Sequence, residues 1–277
     1  NQITPNIVNR ATQIIQNYYK QKGFGNATIK IDQVEDLSAP NENIVNINVD
    51  KHSKVKVHKI YIDGNEMLSD GVIKRTMKKT NESGNLLNLF KQKKFVETDF
   101  DNDLDLIIAK YNEKGYRDAK ILKDSVVPYD EKHVDVYIDL EEGKKYYISN
   151  IDWVGNTVYP TEILDRILEI KPGDVYNQKL LDKRLRDDDD AVGNLYYNTG
   201  YLFYDLVPIE KNINGDSIDL EMRITEGPQA TINNVIITGN DRLYEKVIRR
   251  ELRVKPGQLF NKEDLMRSAR EIAQTGH

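Results

Sequence analysis

The sequence predicts an α+β protein built from tandem repeats, each with the order β-α-α-β-β and a three-stranded mixed sheet covered by two helices. Three observations predict this fold: a repeated strand that ends in Gly-Asn, a repeated Tyr-x-x-x-Gly-aromatic motif, and an alternating strand before each Glu-Gly pair. The Gly-Asn glycines, Gly64, Gly155 and Gly239, lie 91 and 84 residues apart, and those of the second motif lie 92 and 85 apart. Matching spacings in two independent motifs indicate one repeated supersecondary unit.

Each repeat is predicted to open with a strand and a helix. Alternating β-branched residues that end in Gly-Asn are typical of a half-buried strand running into a turn, because both residues tolerate positive φ. From Pro160 to Leu168, apolar residues return at three- and four-residue steps, which predicts a helix. Lys171-Pro-Gly173 then ends this helix. The same strand pattern recurs at 60–65 and 235–240.

A second helix and a hairpin are predicted to complete each repeat. Apolar residues lead into Tyr111 and Tyr196, and the glycine four residues beyond each tyrosine suits a helix C-cap. Two strands follow. Apolar and polar residues alternate along the last one, which predicts a sheet with one buried apolar face and one solvent-exposed polar face. These strands are predicted at 118–126 and 133–140 in one repeat, and at 202–207 and 218–224 in the next.

The phase of the repeat predicts the domain boundaries. Residues 1–53 are the C-terminal part of one unit, 54–143 and 144–227 are complete units, and 228–277 are the N-terminal part of a fourth. The first complete unit carries an apolar and basic insertion at about 80–98. A chain that starts and stops within a unit is expected to be a piece of a longer protein.

The composition of the chain excludes several kinds of functional site and partner. The 277 residues carry a formal charge of −5 and no cysteine, which excludes disulfides, cysteine-ligated metals and a thiol nucleophile. The acidic balance predicts no nucleic-acid partner. No stretch approaches the ~18 apolar residues of a membrane helix, and the N-terminus lacks the order of a signal peptide.

The sequence predicts no enzyme, no cofactor and no metal site. Its four histidines are scattered and form no metal-binding spacing. Asp99-x-Asp101-x-Asp103 opens like a calcium loop, but Leu104 stands where that loop needs glycine. The run from Lys183 to Asp190 favours an exposed helix face with charge pairs.

The repeated motifs together resemble the POTRA domain, and the tandem order is similar to the periplasmic part of the BamA family of outer-membrane β-barrel assembly factors. This resemblance implies a POTRA region at the periplasmic face of the bacterial outer membrane, joined to the membrane through a missing C-terminal barrel. It implies unfolded outer-membrane β-barrel proteins, accessory lipoproteins and periplasmic chaperones as partners. In the family, several POTRA domains act in protein insertion into the outer membrane.

The resemblance also implies a binding mode, in which an extended client strand pairs with a sheet edge. The strand after the second helix is the edge that the family uses, and the unpaired backbone groups of an edge suit this pairing in any sequence. The expected pairing residues are Lys120, Leu122, Asp124, Val126, Leu202, Tyr204 and Leu206.

Two other segments are expected to contact partner proteins. Apolar and basic residues of the insertion form the first, and a basic and acidic stretch similar to the lipoprotein-docking stretch of the barrel-proximal domain forms the second. These residues are Phe90, Lys93, Lys94, Phe95, Arg250, Glu251 and Arg253. The alternatives are a TamA-like or two-partner secretion transporter, and a purely structural spacer.

Overall fold

The computed structural model describes residues 4–36, 38, 43–84, 94–240 and 244–274. They form two compact units, one of residues 1–111 and 118–143, the other of residues 112–117 and 144–277. The first unit contains, in order, α1 (Pro5–Gln21), β1 (Thr28–Glu35), β2 (Asn43–Asp50), β3 (Lys56–Asp63), α2 (Asp70–Thr76), α3 (Glu97–Glu113), β4 (Lys120–Pro128) and β5 (His133–Glu141). The second contains β6 (Tyr147–Val154), α4 (Thr161–Leu168), α5 (Gln178–Asp182), α6 (Val192–Tyr197), β7 (Asp205–Asn214), β8 (Ser217–Thr225), α7 (Glu245–Glu251) and α8 (Lys262–Gln274).

The two three-stranded sheets have the same topology. In the first unit the order is β3-β5-β4, with β3 parallel and β4 antiparallel to the central β5. In the second unit it is β6-β8-β7 with the same directions. The last strand of each repeat is therefore the central one, and the two strands beside it form the edges. The predicted α+β fold with mixed sheets is confirmed.

Each core lies between the helices and one sheet face. In the first unit the alternation of β5 buries Val134, Val136, Ile138 and Leu140. In the second unit β8 buries Ile218, Leu220, Met222 and Ile224 in a cluster with leucines of α4 and α5. The apolar half of each alternating strand therefore faces the helices, as the pattern predicts.

The strand predicted at 202–207 starts later than expected. β7 runs from Asp205 to Asn214, and Leu202 lies in the turn before it. Tyr204 is 7% exposed, and its ring stacks on Tyr196 at 4.2 Å between centroids. The predicted placement of Leu202 and Tyr204 on the edge strand is therefore wrong, because the aromatic cluster draws Tyr204 into the core.

The second helix of the second unit is interrupted, which also differs from expectation. After α5, a π-helical turn covers Lys183–Asp187, and Asp188 then adopts an extended conformation before α6. Arg184 is buried and donates to the carbonyl oxygens of Ile167 and Leu168 at the end of α4, and to Asp188 at 3.2 Å. The prediction of a wholly exposed charged face is wrong here, because the end of α4 needs a donor.

The strand predicted at 235–240 is not part of a sheet, and Ile236 is 79% exposed. In the complete repeats the corresponding strand pairs in parallel with the last strand of its own repeat. Among the described residues, no strand pairs with residues 235–240.

The glycine of the Tyr-x-x-x-Gly motif also joins consecutive repeats. The carbonyl oxygen of Gly23 accepts the N–H of Val55 at 3.0 Å, and that of Gly200 accepts the N–H of Ala230 at 2.8 Å. Both acceptors end a second helix, and both donors lie where the next repeat begins. One motif therefore ends a helix and anchors the repeat that follows.

The glutamate of the closing Glu-Gly pair forms hydrogen bonds to both of the other repeated motifs. Glu142 accepts the hydroxyl of Tyr111 at 2.8 Å and the N–H of Met67 at 2.9 Å. Glu226 accepts the hydroxyl of Tyr196 at 3.0 Å and the N–H of Val158 at 2.9 Å. Each glutamate therefore links the second helix to the turn after Gly-Asn. This shared role explains why the three motifs repeat with matching spacing.

We expect Glu226 to make the second unit acid-sensitive. Burial acts to raise the pKa of Glu226, but hydrogen bonds from Thr157, Val158 and Tyr196 outweigh it and hold this pKa below 4.5. A depressed pKa contributes stability above the unfolded-state value, and this stability is lost as pH falls through the folded-state pKa. Urea unfolding of the wild type and of Glu226→Gln, compared from neutral pH to below 4.5, should show a stability difference that shrinks with acid. A difference that stays constant over this pH range would contradict this role.

Candidate functional site: the edges of the two sheets

The edge strand β3 of the first unit is covered by its own insertion. The N–H of Ser83 donates to the carbonyl oxygen of Val57 at 2.8 Å, and the carboxylate of Glu82 accepts the N–H of Ile60 at 3.0 Å. At the other end of the insertion, Lys94 forms a bridge to Lys56. The outer side of β3 is thus already paired from Lys56 to Ile60, over the first part of the strand.

The start of the edge strand β6 of the second unit is covered in the same way by the loop after α4. The N–H of Ile148 donates to the carbonyl oxygen of Asp174 at 2.9 Å, and the N–H of Gly173 donates to that of Ile148 at 2.7 Å. The Lys171-Pro-Gly173 segment that ends the helix therefore also protects a sheet edge.

The edge strand β4 is different. The N–H of Tyr129 donates to the carbonyl oxygen of His133 at 2.9 Å, so these two residues form a hydrogen-bonded pair. Along an antiparallel ladder, hydrogen-bonded pairs alternate with pairs whose backbone groups point away from the partner strand. In this alternation the backbone of Ser125 faces β5, while the backbones of Asp124 and Val126 face away from the sheet. Within the described ranges, no hydrogen bond from a loop or helix reaches the outer side of residues 120–128. This edge is accessible to an added strand at Asp124 and Val126, as far as Pro128, which has no N–H to offer.

A bulge changes the start of β4. The register shifts between Ile121 and Lys123, so that Leu122 is an extra residue that is 52% exposed. Beyond this bulge Lys120 lies opposite Glu141, with which it forms an ion pair of 2.9 Å. Of the four residues predicted for this edge, Asp124 and Val126 present outward backbone groups, Leu122 lies at the bulge, and the backbone of Lys120 faces β5.

A groove of about 460 Å³ runs along β4. On the helix side it is lined by half-buried Leu104 and Ile108 and by exposed Asp101 and Asp105 of α3. On the strand side it is lined by Ala119, Lys120, Ile121, Leu122, Lys123 and Asp124. An apolar floor with a charged rim suits a strand whose alternate side chains are apolar.

The third predicted position of the second unit, Leu206, lies on the edge strand β7. Its side chain is buried, but its carbonyl oxygen accepts a hydrogen bond of 2.7 Å from the guanidinium of Arg186. The edges of β4 and β7 therefore differ in accessibility, although the sequence patterns of their repeats are alike.

The residues predicted for the insertion contact divide into two groups. Phe90 and Lys93 lie outside the described residues. Phe95 is half-buried, with its ring 5.9 Å from that of buried Phe100, and Lys94 contributes the bridge that covers β3. Phe95 and Lys94 thus have roles within their own unit.

The predicted charged stretch lies at and just after α7. Arg250 has 76% of its side chain exposed and pairs with Glu251 at 3.0 Å. Arg253 pairs with Glu271 of α8 at 2.9 Å, and hydrogen bonding to Arg253 lowers the pKa of Glu271. Arg253 therefore holds α8 against the end of α7, while Arg250 presents its guanidinium to solvent.

The acidic motif that resembles a calcium loop has a structural role. Asp103 is 1% exposed, and its carboxylate accepts the N–H groups of Lys78, Lys79 and Thr80 at 2.7, 3.0 and 2.6 Å. In the part of the chain that the structure describes, no group of three or more histidine or acidic residues is placed to hold a metal ion. No described helix has the length and apolarity needed to cross a bilayer.

Comparisons with known proteins agree with this architecture. The POTRA family model, described as a surface antigen variable number repeat, matches residues 55–143, 146–227 and 230–277. The outer membrane protein assembly factor BamA of Neisseria meningitidis serogroup B is 26% identical over 257 residues, covering 92% of this chain and 32% of that protein. A putative outer membrane protein assembly factor of Treponema pallidum is 23% identical over 266 residues, covering 93% of this chain and 30% of that protein.

A solved structure shares the fold. The crystal structure of Haemophilus influenzae BamA POTRA3-5 superposes with a TM-score of 0.62 at 23% identity, covering 80% of this chain and 86% of that one. The chain spans about a third of the length of the curated relatives named above. Because the family model matches most of the 277 residues in three successive stretches, the chain belongs to the POTRA family.

Proposed function

We propose that this chain is the periplasmic POTRA region of an outer-membrane β-barrel assembly factor, and that β4 binds extended segments of unfolded outer-membrane proteins by strand addition. The accessible edge of β4 beside its groove carries this proposal. Two outward-facing backbone positions and an apolar floor between α3 and β4 are what an added strand requires.

The chemistry of the clients fits this edge. Strands of outer-membrane barrels alternate apolar and polar residues, so one face of an unfolded strand is apolar along its length. That face matches Leu104, Ile108 and Ile121 in the groove, while the polar face remains in water. The backbone hydrogen bonds would be the same for any client, which suits a factor that handles many sequences.

The second part of the proposal concerns accessory lipoproteins. The exposed guanidinium of Arg250 beside Glu251 offers a charged contact that is not used to hold α7 and α8 together. Arg253 positions this stretch through its ion pair with Glu271. A docked lipoprotein would therefore contact Arg250 directly and depend on Arg253 indirectly.

A proline substitution tests the pairing at β4. Asp124→Pro removes one outward N–H without removing a donor from the ladder with β5, and prolines are tolerated on sheet edges for this reason. With a photoreactive residue at Leu122 and a urea-denatured outer-membrane β-barrel protein as the probe, we expect Asp124→Pro to lower the cross-linking yield about fivefold.

Asp124→Ala is the matched control, because it removes the same side chain and keeps the N–H. We expect this variant to cross-link like the wild type. Equal yields from Asp124→Pro and the wild type would show that the client does not pair with this edge, and would favour a structural spacer.

A further inference from the structure

We infer that Arg186 and Pro208 close the outer edge of β7 to strand addition, so that they direct an incoming strand to β4. This inference rests on the proposed function, and it assigns a specificity role to two residues of the second unit. It follows from comparing equivalent positions in two sheets of the same topology.

The two edges can be compared position by position. In the first sheet Asp124 lies opposite Ile138, and in the second Pro208 lies opposite Met222. Ile138 and Met222 are equivalent, because each lies four residues before the closing glutamate of its repeat. Pro208 therefore occupies in β7 the position that Asp124 occupies in β4.

Proline at this position removes a donor from the free edge. A two-residue turn connects Asn214 and Ser217, which therefore form a hydrogen-bonded pair. Every second residue of β8 from Ser217 onward then directs its backbone groups towards β7, including Arg223 and Thr225. Their partners Val207 and Asp205 face β8, so Leu206 and Pro208 face outward. An added strand would find no N–H at Pro208.

Arg186 occupies the neighbouring acceptor. Its guanidinium donates to the carbonyl oxygen of Leu206 at 2.7 Å, which confirms that this carbonyl points away from β8. An incoming strand would have to displace a charge-assisted hydrogen bond to use this acceptor. Of the first two outward positions of β7, Leu206 thus has no available carbonyl acceptor, and Pro208 has no N–H donor.

The π-helical turn supports this arrangement. Within Lys183–Asp187, Arg184 is buried against the end of α4 and Arg186 is exposed at the edge of β7. Arg184 is held by the carbonyl oxygens of α4 and by Asp188, so the turn that carries Arg186 is anchored two residues before it. π-helical turns are frequent at functional positions.

The groove beside β7 is also smaller. It measures about 240 Å³, against about 460 Å³ beside β4. Glu210 stands in it and accepts hydrogen bonds from Tyr176 at 2.7 Å and from Arg117 at 2.9 Å. The position of β4 that is equivalent to Glu210 is Val126, which lies opposite Val136. The groove beside β4 therefore has an apolar residue where the groove beside β7 has a hydrogen-bonded carboxylate.

The test compares the edges in one experiment on the chain. The probe is a peptide of alternating valine and threonine with the length of β4, 9 residues, carrying a nitroxide label. Paramagnetic broadening of backbone amides reports binding, at Asp124 and Val126 for β4 and at Val207 and Ile209 for β7. In the wild type we expect broadening at β4 only.

Replacing both closing residues should open β7. Arg186→Ala with Pro208→Val frees the acceptor and restores the donor, and we expect peptide affinity at β7 to rise about tenfold. Lys183→Ala, a change of another exposed cation in the same turn, should leave β7 closed. Retained amide dispersion in the second unit shows that the variants are folded, and Arg186→Ala alone, which alters only an exposed side chain, should give part of the gain.

The outcomes separate the inference from the proposed function. Broadening at β7 in the wild type, or none there in the double variant while β4 still binds, would overturn the closure and leave the function of β4 intact. Absence of binding at β4 together with gained binding at β7 would support the closure and contradict the proposed function. Absence at both edges in every variant would contradict both.

Discussion

Gly155→Ala is expected to destabilise the second unit by about 3 kcal/mol. Gly155 has φ of 91°, where a side chain is strained, and a Cβ built on it would lie 2.2 Å from the carbonyl oxygen of Ile224. That oxygen belongs to the central strand β8, so neither backbone can move without disturbing the sheet. Urea unfolding followed by the fluorescence of Trp153, the single tryptophan of the chain, measures the loss in this unit.

Gly173→Ala is the matched control for this prediction. Gly173 has nearly the same φ, 93°, but no atom lies within 4 Å of its Cβ position. Its substitution should therefore show only the backbone strain, about 1 kcal/mol. Equal losses from the two variants would show that the close approach to Ile224 carries no cost.

Asp103→Ala is expected to destabilise the first unit by about 3 kcal/mol. The change leaves the N–H groups of Lys78, Lys79 and Thr80 without their carboxylate acceptor, and the site is buried. Because these groups connect the end of α2 to the insertion, their amides should lose protection first. Amide hydrogen exchange, read by mass spectrometry over residues 70–84, measures this effect.

Asp105→Ala, an exposed change on the same helix, is the control and should leave the exchange of that segment unaltered. If Asp103→Ala exchanged like Asp105→Ala, water would be replacing the carboxylate at no cost. The predicted structural role of the acidic motif would then be wrong.

The elements that sequence reasoning placed well have local causes. β5 and β8 follow from strict alternation, and α4 follows from three- and four-residue steps between apolar residues. The Gly-Asn turns follow from a conformation that few other residues adopt, as the φ of Gly64 and Gly155 shows. These signals reside within a few residues of the chain, so one sequence is enough to detect them.

The elements that sequence reasoning misplaced depend on distant residues. The start of β7 is set by the stacking of Tyr204 on Tyr196, and the π-helical turn accompanies the bonds of Arg184 to the carbonyl oxygens of α4. A run of arginines and aspartates looks like a solvated helix face unless the acceptor at the end of α4 is known. The acceptors of Arg184 lie 16 and 17 residues before it, and a turn separates Tyr196 from Tyr204, so the periodicity of a single element reveals neither contact.

The sequence by itself determined that this chain is a tandem array of one α+β unit, because the same turns, caps and alternating strands recur at matching spacings. Only the tertiary structure decided which sheet edge remains available. That choice depends on hydrogen bonds between distant segments, such as Ser83 to Val57 and Arg186 to Leu206. Strands with the same pattern differ in accessibility because of what packs beside an edge, and because the pairing register decides whether a residue such as Pro208 faces outward.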